Sequence, residues 1–595
     1  MSSSSPNTPL KIWDLAKTWL AQFLSGETLK TPFLILASRG LRGPLIAAIL
    51  AFLVGLPCAL MVPPLDRDES RFVQASSQML ETHDYININV QEVPRYKKPV
   101  GIHWLQVAAV KLTSTVAKRN IFPYRLPSLF GAALAAFACA WGASRAFGTR
   151  VGTKAGLIFA VSFMLSTEAF IAKTDAMQCG LITLMMAALA QIYLRTRDLS
   201  REDIKATRPK LFWLQVVFWL ALAGSILIKF IIGPLVLACA LLTLWGWDRK
   251  IGWAKALSWG WGLILVLFLC GPWCVAITIS TDGAFWTGAI GHDLATKLNG
   301  GSEGHFMWPG YHLLLLPITL FPASWLLGGA LQTAITRRHE AAIRFAIAWF
   351  LPAFIIFELS PTKLPHYPLP TFGALAWLCA VSLDVPLKAW AKGLNVGLGL
   401  FGGLVLAAGA ILGYTQFGSS VTMIFVLAVA AATLVIAVLG GWLNWRKQTR
   451  SGLSFLLAGG ILAHLGLVSA IASLKPIWVS RAMEQALVTA HLDPRQGIAP
   501  GPVAVLGYAE PSFVFAMGTK TQLLNEDAEG AVKALSDGRP LFVESVYQKA
   551  FDAAAKHRGL TPQKVGEVKG RNYSNGRNVV LSLYDNPVKP QSSAF

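Results

Sequence analysis

Residues 44–72 read PLIAAILAFLVGLPCALMVPPLDRDESRF. Nothing from Pro44 to Leu65 carries a charge, and the first twenty residues of the stretch are long enough to cross the ~30 Å hydrocarbon core of a bilayer as a helix. The run then stops at two prolines and becomes Asp66-Arg67-Asp68-Glu69-Ser70-Arg71. A membrane helix that ends in a dense acidic and basic cluster sets the theme for the chain.

Working outward, the same apolar pattern recurs near 125–147, 153–171, 175–194, 211–229, 231–247, 254–279, 311–333, 342–359, 366–383, 392–413, 422–444 and 453–473. Composition agrees. The 595 residues are 54% hydrophobic and 14% charged, where a soluble domain has about 25% charged residues. The net charge of +21 does not point to nucleic acid. The basic residues gather in short loops at 195–210, 248–255, 337–344, 388–392 and 446–450, which the positive-inside bias places in the cytoplasm. The seven cysteines, from Cys58 to Cys379, all lie in or beside apolar stretches, where thiols serve as small hydrophobes and not as a disulfide framework.

With those loops inside, the 64–98 loop, the 172–175 turn, the region 229–234, the 280–310 loop and the 359–365 loop fall outside. The count closes at about thirteen spans if 101–117 is interfacial or re-entrant. The fold class expected is therefore a polytopic α-helical membrane protein with about thirteen transmembrane helices. Three regions follow: a cytoplasmic segment 1–43, the membrane domain 44–475 with its first outer loop at 64–98, and an extracytoplasmic domain 476–595. In the first, Ile12, Trp13, Leu15, Trp19, Leu20 and Phe23 recur at helical spacing, as in an amphipathic helix lying on the membrane or docked on the protein. No cleavable signal precedes it. In the last, short apolar runs at 503–506, 522–524, 541–543 and 579–583 alternate with helical patterns at 510–517, 529–536 and 546–557, a small α/β domain without a Gly-rich phosphate fingerprint. No internal repeat of the transporter kind is present.

Ionisable groups near a bilayer core are costly and mark sites. Those in this chain converge on the outer side: Asp68, the Lys173-Thr174-Asp175 turn, Lys229 inside an apolar run, His292 and Lys297 in one loop, Lys363, His366 and Tyr367 in another. Lysines facing one cavity suit a phosphate or pyrophosphate. Nearby carboxylates suit the positioning or deprotonation of an acceptor, and abundant Trp and Phe suit a lipid tail and a sugar face. Nucleotide-sugars are absent from that side, so a lipid-linked phosphosugar is the natural donor.

Three motifs in order carry a family resemblance over roughly residues 44–370. They are Asp68-Glu69-Ser70-Arg71-Phe72, Tyr96-Lys97-Lys98-Pro99 followed by Trp104, and Lys363-Leu364-Pro365-His366-Tyr367-Pro368-Leu369-Pro370. Here the chain resembles the GT-C superfamily of polyprenyl-phosphate-dependent glycosyltransferases, and most closely the lipid A aminoarabinose transferases and their relatives the protein O-mannosyltransferases. The resemblance implies that Asp68 is the catalytic carboxylate, with Glu69 beside it and Asp175 a second acid at the cavity floor. It implies that Lys98, with Lys97, Arg71, Lys297 and Lys363, grips the carrier phosphate, while His292 and Tyr367 line the donor site. Asp66 has no firm counterpart and is expected to pair with Arg67 or Arg71.

The implied activity is inverting transfer of a sugar from an undecaprenyl-type phosphate to a lipid A, lipopolysaccharide-type or other envelope glycolipid acceptor. The implied place is the periplasmic face of the bacterial inner membrane. Membrane lipids are expected partners and nucleic acid is not. Two departures bear on cofactors. The phosphate lysine is preceded by Lys97 where the lipid A enzymes have Glu, and His292 is preceded by Gly291 instead of an acid. No cofactor is implied, divalent-metal dependence stays open, and a more basic pocket suits an acidic sugar such as a uronic acid. Alternative readings are an O-glycosyltransferase acting on protein, a transporter of lipid-linked sugars, and a membrane scaffold.

Overall fold

The structure is a computed structural model that describes residues 40–296, 306–418, 420–446, 449–496 and 501–585. The expected amphipathic helix before residue 40 and Lys297 lie outside the described residues. Nine of the described helices are long and apolar enough to cross a membrane, and the first is Arg42–Met61. Its two faces differ as a lipid-facing helix requires. Leu45, Ile49 and Leu53 are at least half exposed, while Ala47 and Ala51 pack against Ala136, Ala140 and Ala160. Small residues at such contacts let helix backbones approach closely.

The same device joins Phe122–Phe147 to Asp175–Thr196. A Cβ added at Gly131 would stand 2.5 Å from the Met177 backbone, and one added at Gly180 would stand 2.5 Å from the Gly131 carbonyl oxygen. That contact sets where the Asp175–Thr196 helix begins, and so where Asp175 sits.

Three segments depart from the simple span pattern. The stretch expected as one span at 153–171 is two helices, Thr149–Ala160 and Phe163–Ala169, broken at Val161 and Ser162. The stretch expected at 311–333 is bent by 104° between Tyr311–Thr319 and Ala323–Thr336. The break contains Pro322, which has no N–H to continue the helix. The ambiguous 101–117 segment forms the helix Gly101–Thr113. At about 1.5 Å per residue it is too short to cross a bilayer core. A buried polar set fixes it: Ser76 Oγ lies 2.9 Å from His103 Nδ1 and donates to Gln106 Oε1 at 2.6 Å.

After Thr449–Ala472 and the amphipathic helix Val479–Thr489 comes the α/β domain. Its strands are β1 (Ala504–Leu506), β2 (Gln522–Leu523), β3 (Leu541–Glu544), β4 (Gln563–Asn572) and β5 (Arg577–Asp585), in the order β2-β1-β3-β5-β4. β1 runs parallel to β2 and β3, with Ala504 opposite Leu541, and β5 is antiparallel to both β3 and β4. The helices Pro511–Met517, Ala528–Ser536 and Gln548–His557 fall on the expected segments.

This domain docks on the loop that follows the first span and on the helix Asp68–Thr82. Phe515 is fully buried beside Val73 and meets Tyr124 edge-on at 5.5 Å. Thr519 takes a hydrogen bond from Gln74 Nε2 at 2.7 Å and donates one to Glu81 Oε2 at 2.6 Å. Gln91 Nε2 donates to the carbonyls of Thr519 and Thr521.

Candidate functional site

Two helix ends meet at the centre of the site. Asp175 opens its helix and Lys229 closes the helix Phe212–Lys229, so each charge lies where the helix dipole favours it. Lys229 Nζ donates to Asp175 Oδ1 at 2.7 Å and sits over the Tyr367 ring, 5.2 Å from its centroid. Lys173 Nζ approaches the other carboxylate oxygen at 3.7 Å, and His366 Nε2 stands 3.5 Å from Oδ1.

Glu168 completes the group from the far side. Its Oε1 is 3.1 Å from Lys173 Nζ and 3.5 Å from His366 Nδ1, while its Oε2 is buried without a hydrogen-bond partner. All of these side chains are buried or nearly so. Burial works against charge on the Lys173 ammonium, but the carboxylates of Glu168, Asp175 and Asp68 outweigh it and hold its pKa above the ordinary value. Burial pushes the His366 imidazole well below its ordinary value, with Lys173 and Lys229 adding to the effect and Asp175 opposing it.

Asp68 is the exposed member. It begins the helix Asp68–Thr82 directly after Arg67, which adopts a left-handed φ of 62°. Its side chain is 56% exposed, lies 3.7 Å from Arg95, and acts electrostatically on Lys173. Arg95 in turn lies over the Phe72 ring. Lys97 and Lys98 follow on the same turn and are half-buried, as is Arg71. Tyr96 packs edge-on against Phe285 and underlies Gly288, which brings the segment bearing His292 against this turn; His292 itself is exposed.

Two expected residues face elsewhere. Glu69 is fully buried, with Arg125 donating to both its oxygens at 2.9 and 2.8 Å and the Leu65 and Ala172 amides at 2.8 and 2.7 Å. This pair ties the end of the first span to the 170–174 turn that carries Lys173. Lys363 Nζ donates to the carbonyls of Met307 and Ser360 at 2.7 and 2.6 Å, which makes it a staple between two loops. Asp66 also departs from its expected pairing. Its amide donates to Tyr573 Oη at 2.6 Å and its carboxyl is hydrogen-bonded by Ser512, so it faces the α/β domain, with Arg67 only a minor electrostatic neighbour.

Glu168 is the residue the sequence reading missed. Its signal is an acid inside an apolar run, but the hydropathy of 153–171 reads as one uninterrupted span. Among the described residues no group of three or more His, Cys, Asp or Glu side chains is arranged to hold a metal ion. The two acids here are interleaved with lysines.

The architecture has close counterparts. It superposes on the crystal structure of ArnT from Cupriavidus metallidurans bound to undecaprenyl phosphate with a TM-score of 0.70 at 18% identity, covering 90% of this chain and 97% of that one. The apo form of the same protein gives 0.67 at 19% identity, over 96% and 98% of the two chains. The chain has the GT-C fold. In sequence, the chain is 27% identical over 407 residues to the undecaprenyl phosphate-alpha-4-amino-4-deoxy-L-arabinose arabinosyl transferase of Pseudomonas paraeruginosa, over 67% of this chain and 70% of that protein. The enzyme of that name from an Enterobacter species is 26% identical over 318 residues, 53% and 54% of the two chains. No family model matches the chain.

Proposed function

We propose that this chain is a glycosyltransferase that moves a sugar from an undecaprenyl-type phosphate carrier to a lipid A-type or other envelope glycolipid at the periplasmic face of a bacterial inner membrane. The observation that carries the reading is the Asp175–Lys229–Lys173 cluster, closed in by Tyr367 and adjoining Asp68 at one end of the bundle. The likeness to aminoarabinosyl transferases in sequence and to ArnT in fold supports it.

The roles follow from position. Asp68, exposed beside the cluster, orients the acceptor group against the anomeric carbon and takes its proton where the acceptor is a hydroxyl. Lys98 and Lys229 stabilise the charge that develops on the departing carrier phosphate, with Lys97 and Arg71 alongside, the kind of contribution that usually dominates such reactions. Asp175 holds Lys229 ready, and Tyr367 and His292 border the sugar. A single displacement inverts the anomeric centre. Glu69 and Lys363 serve as scaffold, since their polar atoms are engaged by the protein itself.

The test uses purified full-length chain, a panel of undecaprenyl phosphosugars carrying neutral, amino and uronic sugars, and lipid A or a peptide as acceptor. Mass spectrometry is expected to show one sugar mass added to the glycolipid. Label on the peptide alone would replace the acceptor class, and no transfer from any donor would remove the reading.

A further inference from the structure

The first span and the α/β domain enclose a second cavity that the transfer chemistry does not use. It has a volume of about 240 Å³ and lies where the helix Arg42–Met61 ends. One wall is apolar and includes Leu60, Met61 and Trp478; Leu60 and Met61 are more than half exposed, so this wall is continuous with the lipid-facing side of the span. The opposite wall is polar. Asp66 lines this wall; its Oδ1 is shielded from solvent and has no hydrogen-bond partner, while Ser512 hydrogen-bonds the carboxyl group. Arg481 is exposed at the rim and has no acidic partner among the described residues, whereas Glu484 beside it is ion-paired with Arg495 at 2.7 Å.

Such a site asks for a molecule with three parts: chains that lie against Leu60 and Met61 in the membrane, an anionic group for the guanidinium, and a hydrogen-bond-donating cation for the carboxylate. A guanidinium recognises phosphate oxygens well, and a shielded carboxylate oxygen is costly to leave unpaired. We infer that this junction is a binding site for an aminophospholipid, with the lipid phosphate on Arg481, the primary ammonium on Asp66 and the acyl chains along the first span. Burial raises the Asp66 carboxyl to about 7, with Glu510 adding to the rise and Ser512 and, more weakly, Arg67 opposing it; a bound ammonium would supply a closer counter-charge. The site is separate from the Asp175 cluster, and the inference does not depend on the transfer reaction.

The experiment is native mass spectrometry of the full-length chain in detergent, with phosphatidylethanolamine, phosphatidylglycerol and phosphatidylcholine of matched acyl chains at equal concentration. Phosphatidylethanolamine is expected to be retained about tenfold over the other two, the effect of one charge-assisted hydrogen bond. Phosphatidylcholine has no N–H to donate, and phosphatidylglycerol has no cation. Asp66→Asn and Arg481→Gln are each expected to bring its retention down to the phosphatidylcholine level. Arg481 is on the surface, so its variant decides the matter if Asp66→Asn does not fold. Equal retention of the three lipids, preference for phosphatidylglycerol, or retention unchanged in the folded variants overturns the assignment.

Discussion

Asp175 and Lys229 meet at 2.7 Å with little access to water. Removing one partner of a buried ion pair strands the other, at a cost of about 3–5 kcal/mol. Lys229→Met is therefore expected to lower the melting temperature strongly, and Lys229→Met with Asp175→Leu to recover most of it without recovering transfer. Recovered transfer in the double variant would remove the pair from the reaction. Asp68 is different, since its side chain is mostly exposed. Asp68→Asn is expected to leave the melting temperature unchanged and to cut kcat about 10²- to 10⁴-fold. Asp66 sets a pH dependence. Its pKa is raised from 3.8 to about 7 in the folded chain, chiefly by burial, so the folded state binds the proton more tightly than the unfolded state. This contribution is full below pH ~4, declines as pH rises toward ~7 and is flat beyond. Melting curves from pH 5 to 8 are expected to show that decline in the parent chain and to lose it in Asp66→Asn. At this scale the sequence told which residue types to suspect, because charges beside apolar runs are costly. It did not tell which way they face. Asp68 and Glu69 are neighbours, yet helix geometry turns one outward and the other onto Arg125.

The Gly131–Gly180 contact is where packing of elements bears on the site. Gly131→Val puts a branched side chain where a Cβ alone would stand 2.5 Å from backbone. The helices must separate, and Asp175 moves with its helix. The expected outcome is loss of donor affinity together with a lowered melting temperature, read by calorimetry with and without undecaprenyl phosphate; an unshifted affinity would show that Asp175 does not need this contact. Elements with strong periodicity were legible in the sequence, such as Phe122–Phe147 and Asp175–Thr196. Others were hidden for identifiable reasons. β4 was missed because an edge strand carrying Lys564, Glu567, Lys569 and Arg571 lacks the apolar signature of a strand; charge on an open edge guards against unwanted pairing. The breaks at Val161–Ser162 and around Pro322 were missed because hydropathy averages across them.

For the whole molecule, the α/β domain is joined to the membrane domain through side chains from several segments. Phe515 is its anchor, fully buried against Val73 and Tyr124. Phe515→Ala is expected to cost about 3–5 kcal/mol of docking and folding stability. Limited proteolysis should then cut near residues 473–478 in the variant and not in the parent chain. The existence of this domain was legible from the change in composition after the last span. Its docking was not, because Thr519, Gln74, Glu81 and Gln91 have no periodic signature and meet only in three dimensions.

The helix Asp68–Thr82 is gripped twice by that domain, at its start through Asp66 and Tyr573 and further along through Gln74, Glu81 and Thr519. It therefore behaves as a lever whose handle is water-soluble. A binding protein that tilts the domain is expected to displace Asp68, the carboxylate proposed to meet the acceptor, and so to slow transfer without touching the buried cluster.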